Sequence, residues 1–218
     1  MNEYFGNPSS EVIFLFLPGW TSPPINMLNL LKDNVDKNNY WCILNQTFEN
    51  NEWFRYGAVE EGSKKNYNSF ISHLNLNYKL NNDLNESIKY ISDTISNINK
   101  KVVLLGTSQG ATTAFHYFHS NVCSEKVMGI WLHNMAGFYP EYLDISKKYS
   151  YNNYIDVKMG DRHAVFDDDT FGHMNRSLNI IKKNRSKHVF FYNSKNDNVV
   201  PGIFKNIMMS ELFRIYNL

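Results

Sequence analysis

The segment best suited to chemistry is Gly106-Thr107-Ser108-Gln109-Gly110, a serine with a glycine two residues away on each side. The apolar run Val102 to Leu105 precedes it, and a helix is expected over residues 109–120. A serine on such a strand-to-helix turn presents its hydroxyl at the carboxyl end of a sheet, where it can act as a nucleophile. Gly106 and Gly110 remove side chains that would collide with adjacent backbone. The helix N-terminus places positive dipole where an oxyanion would form. Pro18-Gly19-Trp20 ends another apolar run, Val12 to Leu17. Gly19 permits a tight turn there, and the backbone N–H of Trp20 is expected to join that of Gln109 as the two oxyanion donors.

A serine hydroxyl is a poor nucleophile without a base to take its proton. Seven histidines could supply one. His116 and His119 lie on the helix after Ser108, about 12–16 Å further along at 1.5 Å per residue, which is too far. His188 opens a strand at the end opposite the site, and His73 has no motif around it. His133 ends the strand expected beside the nucleophile strand, His163 lies in GDRHAVFDDDTFGH, and His173 stands near the start of a helix. These three stay open as candidate bases. The run Asp167-Asp168-Asp169 is read as a charge cluster at a helix start. No second cluster accompanies it to make a metal site.

These residues need a scaffold, and the sequence alternates apolar strands with helical stretches. Strands are expected over residues 12–17, 40–44, 102–105, 127–134 and 188–193. Helices are expected over 24–35, 82–99, 109–120, 171–183 (with Thr170 as its N-cap) and 203–216. Residues 46–80 and 135–170 show no clear pattern. Continuous apolar strands joined by helices imply a mostly parallel sheet flanked by helices, with ligands beyond the carboxyl ends of the strands.

All 218 residues are read as one α/β domain, with 43% hydrophobic and 20% charged residues. A net charge of +1 gives no reason to expect nucleic acid or an anionic membrane as partner. The polar start has no secretory character, and no apolar run is long enough to span a bilayer. Cys42 and Cys123 are read as free thiols of a reducing, cytoplasmic compartment.

The chain resembles the acyl-protein thioesterase, or phospholipase/carboxylesterase, family of α/β-hydrolases. The similar segments are FLPGW at 16–20, Trp53-Phe54, the helix at 81–95, VVLLGTSQGATTAFHY at 102–117, GIWLHNMAGFYP at 129–140 and YNSKNDNVVP at 192–201. They follow the family's order and cover most of the chain. The resemblance implies the α/β-hydrolase fold, with Ser108 as nucleophile, Asp197 as the acid that orients a histidine, and Trp20 and Gln109 as oxyanion donors. It implies cleavage of carboxylic esters or acyl thioesters, an acylated protein among the possible substrates, without metal or cofactor. Two departures stand out. Pro18-Gly19 replaces the usual His-Gly, and no histidine follows Asp197, where the family's base lies. The domain is therefore expected to be C-terminally shortened, lacking the last strand and helix and leaving a strand edge unpaired. An inactive binding protein is the alternative to a hydrolase.

Overall fold

A computed structural model describes residues 1–54, 77–135, 154–160, 166–184, 187–194 and 210; of 77–81 and 154–160 it describes the backbone alone. The strands are β1 (Glu3–Gly6), β2 (Val12–Leu17), β3 (Tyr40–Ile43), β4 (Lys101–Thr107), β5 (Val127–His133), β6 (Tyr154–Gly160) and β7 (His188–Ser194). The helices are α1 (Pro24–Leu31), α2 (Asn77–Ser96), α3 (Gln109–Phe118) and α4 (Asp168–Lys183). The strands form one sheet in the order β1-β3-β2-β4-β5-β7-β6. Among the described strands only β1 is antiparallel to its neighbour.

Strand β2 shows why the sheet needs two covers. All six of its residues are buried. Ile13, Leu15 and Leu17 enter one core with Leu84, Ile91 and Ile95 of α2 and Ala111, Ala114 and Phe115 of α3. Val12, Phe14 and Phe16 enter the other with Met27 and Leu31 of α1 and Phe171, Met174, Leu178 and Ile181 of α4. Each fully buried aliphatic or aromatic side chain of this kind contributes roughly 1.5–3 kcal/mol relative to exposure. The result is a mostly parallel sheet between two helical layers.

Helix α1 ends before the expected residue 35 and α2 spans Asn77–Ser96 rather than 82–99, and three further elements differ from the expectation. Strand β1 forms from the polar start, pairing Glu3 with Ile43 through Gly6 with Tyr40. Helix α4 starts earlier, capped by Asp167, whose Oδ1 accepts from the Thr170 N–H at 2.9 Å and the Thr170 hydroxyl at 2.8 Å. Asp168 and Asp169 lie in its first turn, where the dipole favours them. Third, β6 runs parallel to β7 from Tyr154↔His188 to Gly160↔Ser194. An unpaired strand edge is expected from the sequence; the edge of β7 away from β5 is filled, by a strand that precedes β7 in the chain. The expected helix at 203–216 lies outside the described residues, Ser210 apart. Among the described residues no helix is long and apolar enough to cross a membrane. Cys42 is buried and Cys123 half-buried, and neither forms a disulfide; burial pushes the Cys42 thiol up to about 11.

Lys126 precedes β5 and closes the end of α2. Its Nζ donates to the carbonyls of Ile95 (3.3 Å) and Ser96 (3.1 Å) in the last turn and of Ile98 (2.6 Å) just beyond it, where a cation also favours the helix dipole. Lys126→Met should lower stability by about 1 kcal/mol, read as a shift of the urea midpoint at unchanged slope.

Candidate active site

Ser108 is the N-cap of α3, with φ 52° and ψ −119°. That backbone region is costly for any residue with a Cβ, of order 1–3 kcal/mol. It persists because the surroundings leave no alternative. A Cβ on Gly106 would lie 2.6 Å from the Gly110 carbonyl, and one on Gly110 only 2.2 Å from the Leu17 carbonyl. Helix α3 therefore sits directly on the ends of β2 and β4. The chain must reverse within one residue, and the half-buried Ser108 side chain is lifted off the carboxyl edge of the sheet. The Ser108 N–H is held by the His133 carbonyl at 2.9 Å, and its own carbonyl receives the Thr112 N–H at 3.1 Å.

The turn after β2 lies against this serine. A Cβ on Gly19 would be 3.3 Å from Ser108 Cβ and 3.5 Å from the Thr107 carbonyl, a tight fit against the elbow. Trp20 follows, 40% exposed, and Thr21 adopts φ 59° with its N–H on the Asn51 carbonyl at 3.1 Å. Gln109 heads α3, where first-turn N–H groups have no intrahelical acceptor. Its buried side chain accepts from the Trp53 N–H (2.8 Å) and donates to the Phe54 carbonyl (2.6 Å). The Trp53 indole donates to the Pro18 carbonyl at 2.7 Å, and the Ser87 hydroxyl donates to the Trp53 carbonyl. Trp53 and Phe54 are fully buried in the core, where they pack and clamp.

His133 is next to the elbow, but both its ring nitrogens are engaged. Asn134 Oδ1 accepts from the Ser194 N–H at 2.7 Å, which fixes its Nδ2 as the donor to His133 Nε2 (3.0 Å) and to Ser194 Oγ (3.1 Å). His133 Nδ1 is then the protonated nitrogen and donates to Thr107 Oγ1 at 2.9 Å. The ring stacks on Trp131 with an interplanar angle of 7° and touches Phe166 at 4.6 Å between centroids. This imidazole braces the elbow from beneath through Thr107.

No protein-family model matches the chain, and no curated protein does. Solved structures do. The chain is similar to acyl-protein thioesterase 2 of Zea mays, with a TM-score of 0.51 at 14% identity over 99% of both chains. It is similar to YahD with malic acid, with a TM-score of 0.52 at 11% identity over 99% of this chain and 98% of that one. A phospholipase/carboxylesterase of Dyadobacter fermentans gives 0.51 at 11% identity over 97% and 95%. The chain has the α/β-hydrolase fold of these thioesterase and carboxylesterase structures. At such identities the likeness is one of fold.

Within this hydrolase fold the remaining histidines divide plainly. His173 of α4 is buried, and its Nδ1 accepts the Trp131 indole N–H at 3.0 Å, which ties α4 to β5. His116 is buried on α3 and His119 is buried at its C-cap, with Nδ1 on the Phe115 carbonyl at 2.8 Å. His188 opens β7 opposite Gly129, at the far end of the sheet, and burial lowers its pKa. His73, His163 and Asp197 lie outside the described residues. The hydrogen-bonded roles of Gln109, Trp53, Asn134 and Gln46 went unseen in the sequence. The pair Trp53-Phe54 stands there as one of the family-like segments, without its hydrogen bonds.

Two predictions follow from the strained serine and the buried histidine. Ser108→Gly should raise stability by about 1 kcal/mol in urea unfolding by releasing the backbone, while Ser108→Ala, which keeps the Cβ, should not. Burial, with the neighbouring His119, lowers His116 to about 3. Its folded value lies below the unfolded value of about 6.5, so its neutral form supports the fold above about pH 6.5 and that support is lost as pH falls towards 3. Acid unfolding of His116→Gln followed by circular dichroism should accordingly be less steep than wild type across that window.

Proposed function

We propose that this chain is a serine hydrolase that cleaves carboxylic esters or acyl thioesters through an acyl-enzyme on Ser108. The observation that carries the reading is the conformation of Ser108, a half-buried serine forced to positive φ between a parallel strand and the N-terminus of a helix. The energetic cost of holding it there has no evident structural return, and such strain collects at functional sites.

In this reading a histidine removes the Ser108 hydroxyl proton as Oγ attacks the acyl carbonyl. The N–H groups of Trp20 and Gln109 receive the oxyanion. The same histidine protonates the departing alcohol or thiol, and water then releases the acid by the reverse sequence. Asp197 is the acid that orients the histidine. We assign the base to His163. Supporting this, both ring nitrogens of His133 serve Thr107 and Asn134, and Nδ1 of the buried His173 serves Trp131. In sequence His163 follows Gly160 by three residues, as Asp197 follows Ser194 by three, and Gly160 and Ser194 are register partners on adjacent parallel strands. The chain order would then be Ser–His–Asp, and triads do not depend on chain order. The substrates are small esters or acyl thioesters, an acylated protein included, handled in the cytoplasm without cofactor.

Labelling with a fluorophosphonate probe tests the reading. Stoichiometric labelling is expected in wild type and none in Ser108→Ala. His163→Ala should slow it by at least 10³-fold, whereas His133→Gln should still label. Absence of labelling in folded wild-type protein would leave a hydrolase fold that binds a ligand or partner without turning it over.

A further inference from the structure

We infer that Gln46 is a positioning residue of the oxyanion hole, holding the Gly19–Trp20 peptide in the plane that aims the Trp20 N–H. The inference rests on the reading of Ser108 as nucleophile and Trp20 as oxyanion donor, and it names what sets that donor's direction.

Gln46 lies just beyond β3, the neighbour of β2, and is only 4% exposed. Its Nε2 donates to the Gly19 carbonyl at 3.0 Å and to the Ser22 carbonyl at 2.9 Å. The Ser22 N–H also reaches the Gly19 carbonyl, at 3.2 Å, and closes the turn. In a trans peptide the C=O and the following N–H point in opposite directions. Pinning the Gly19 oxygen against Gln46 therefore turns the Trp20 N–H away from Gln46. Gly19 itself is wedged against the elbow, 3.3 Å from Ser108 Cβ measured from where its own Cβ would stand. Trp53 holds the preceding carbonyl, that of Pro18. Glycine has no side chain to resist rotation of its peptides. The plane is thus set by the donor on its oxygen and by the turn.

The other end of the amide supports this reading. Gln46 Oε1 is buried and has no hydrogen-bond partner among the described residues. A buried acceptor left unmade is a cost, and it calls for a reason. The reason offered here is the two carbonyls that the other end of the group must hold. A preorganised donor is worth most when it cannot rotate during the reaction, because no reorganisation is then needed as charge develops.

Two substitutions and two readouts test this. Gln46→Glu keeps the shape but sets carboxylate oxygens against two carbonyls, and Gln46→Met keeps the length without a donor. Each folded variant should lose about 10²–10³-fold in fluorophosphonate labelling rate and in kcat for a short-chain p-nitrophenyl ester, with KM unchanged. Crystal structures of wild type and variants should show the Gly19–Trp20 peptide rotated in both variants. If Gln46→Glu does not fold, Gln46→Met decides. A labelling rate within about threefold of wild type, a change in KM alone, or an unrotated peptide would overturn the inference. If wild type fails to label, the hydrolase reading falls, and the peptide plane still decides the role of Gln46.

Discussion

The site depends on the contact between helix α3 and the ends of strands β2 and β4. Gly110 is packed so closely that a Cβ there would stand 2.2 Å from the Leu17 carbonyl. Backbone packed so closely that no Cβ fits between admits little shift in helix position. Once α3 is seated there, the chain from β4 has one residue in which to turn, and that residue takes φ 52°. The direction of the Ser108 side chain and the proximity of Gly19 follow from the same seating.

What surrounds this contact is mostly hydrogen bonding between backbone and buried amides. Gln109 Oε1 and Nε2 hold residues 53 and 54, Trp53 holds Pro18, and Gln46 holds Gly19 and Ser22. Beneath the elbow, His133 and Asn134 join Thr107 to Ser194. Neutral amides suit this work, since they offer a donor and an acceptor without the desolvation cost of a buried charge. The arrangement fixes loops that sheet pairing does not reach.

The sheet order adds a second feature. Strand β6 lies outside β7 although it precedes it in the chain, and both run parallel to β5. The two strands therefore end side by side at the carboxyl edge, at Gly160 and Ser194, and in sequence His163 follows the first by three residues and Asp197 the second. A parallel neighbour needs only a long enough crossover, here supplied by α4, so the order of two adjacent strands can be exchanged without altering the sheet.

The sequence by itself determined the elbow, the buried parallel strands and the helices on either face. These are local patterns: glycine spacing around Ser108, the six apolar residues of β2 and the apolar stripe of α2. The pattern of β6 was also present, with Ile155, Val157 and Met159 alternating with Asp156, Lys158 and Gly160, but a half-apolar stretch among polar residues is a faint signal. Only the tertiary structure decided where β6 pairs, that His133 braces the elbow with both nitrogens engaged, and that Gln46, Gln109 and Asn134 hold the loops. Those bonds join residues 27, 56 and 60 positions apart in the chain. A polar side chain carries no local mark of the distant carbonyl or amide it will meet, because folding, not spacing, brings the two together.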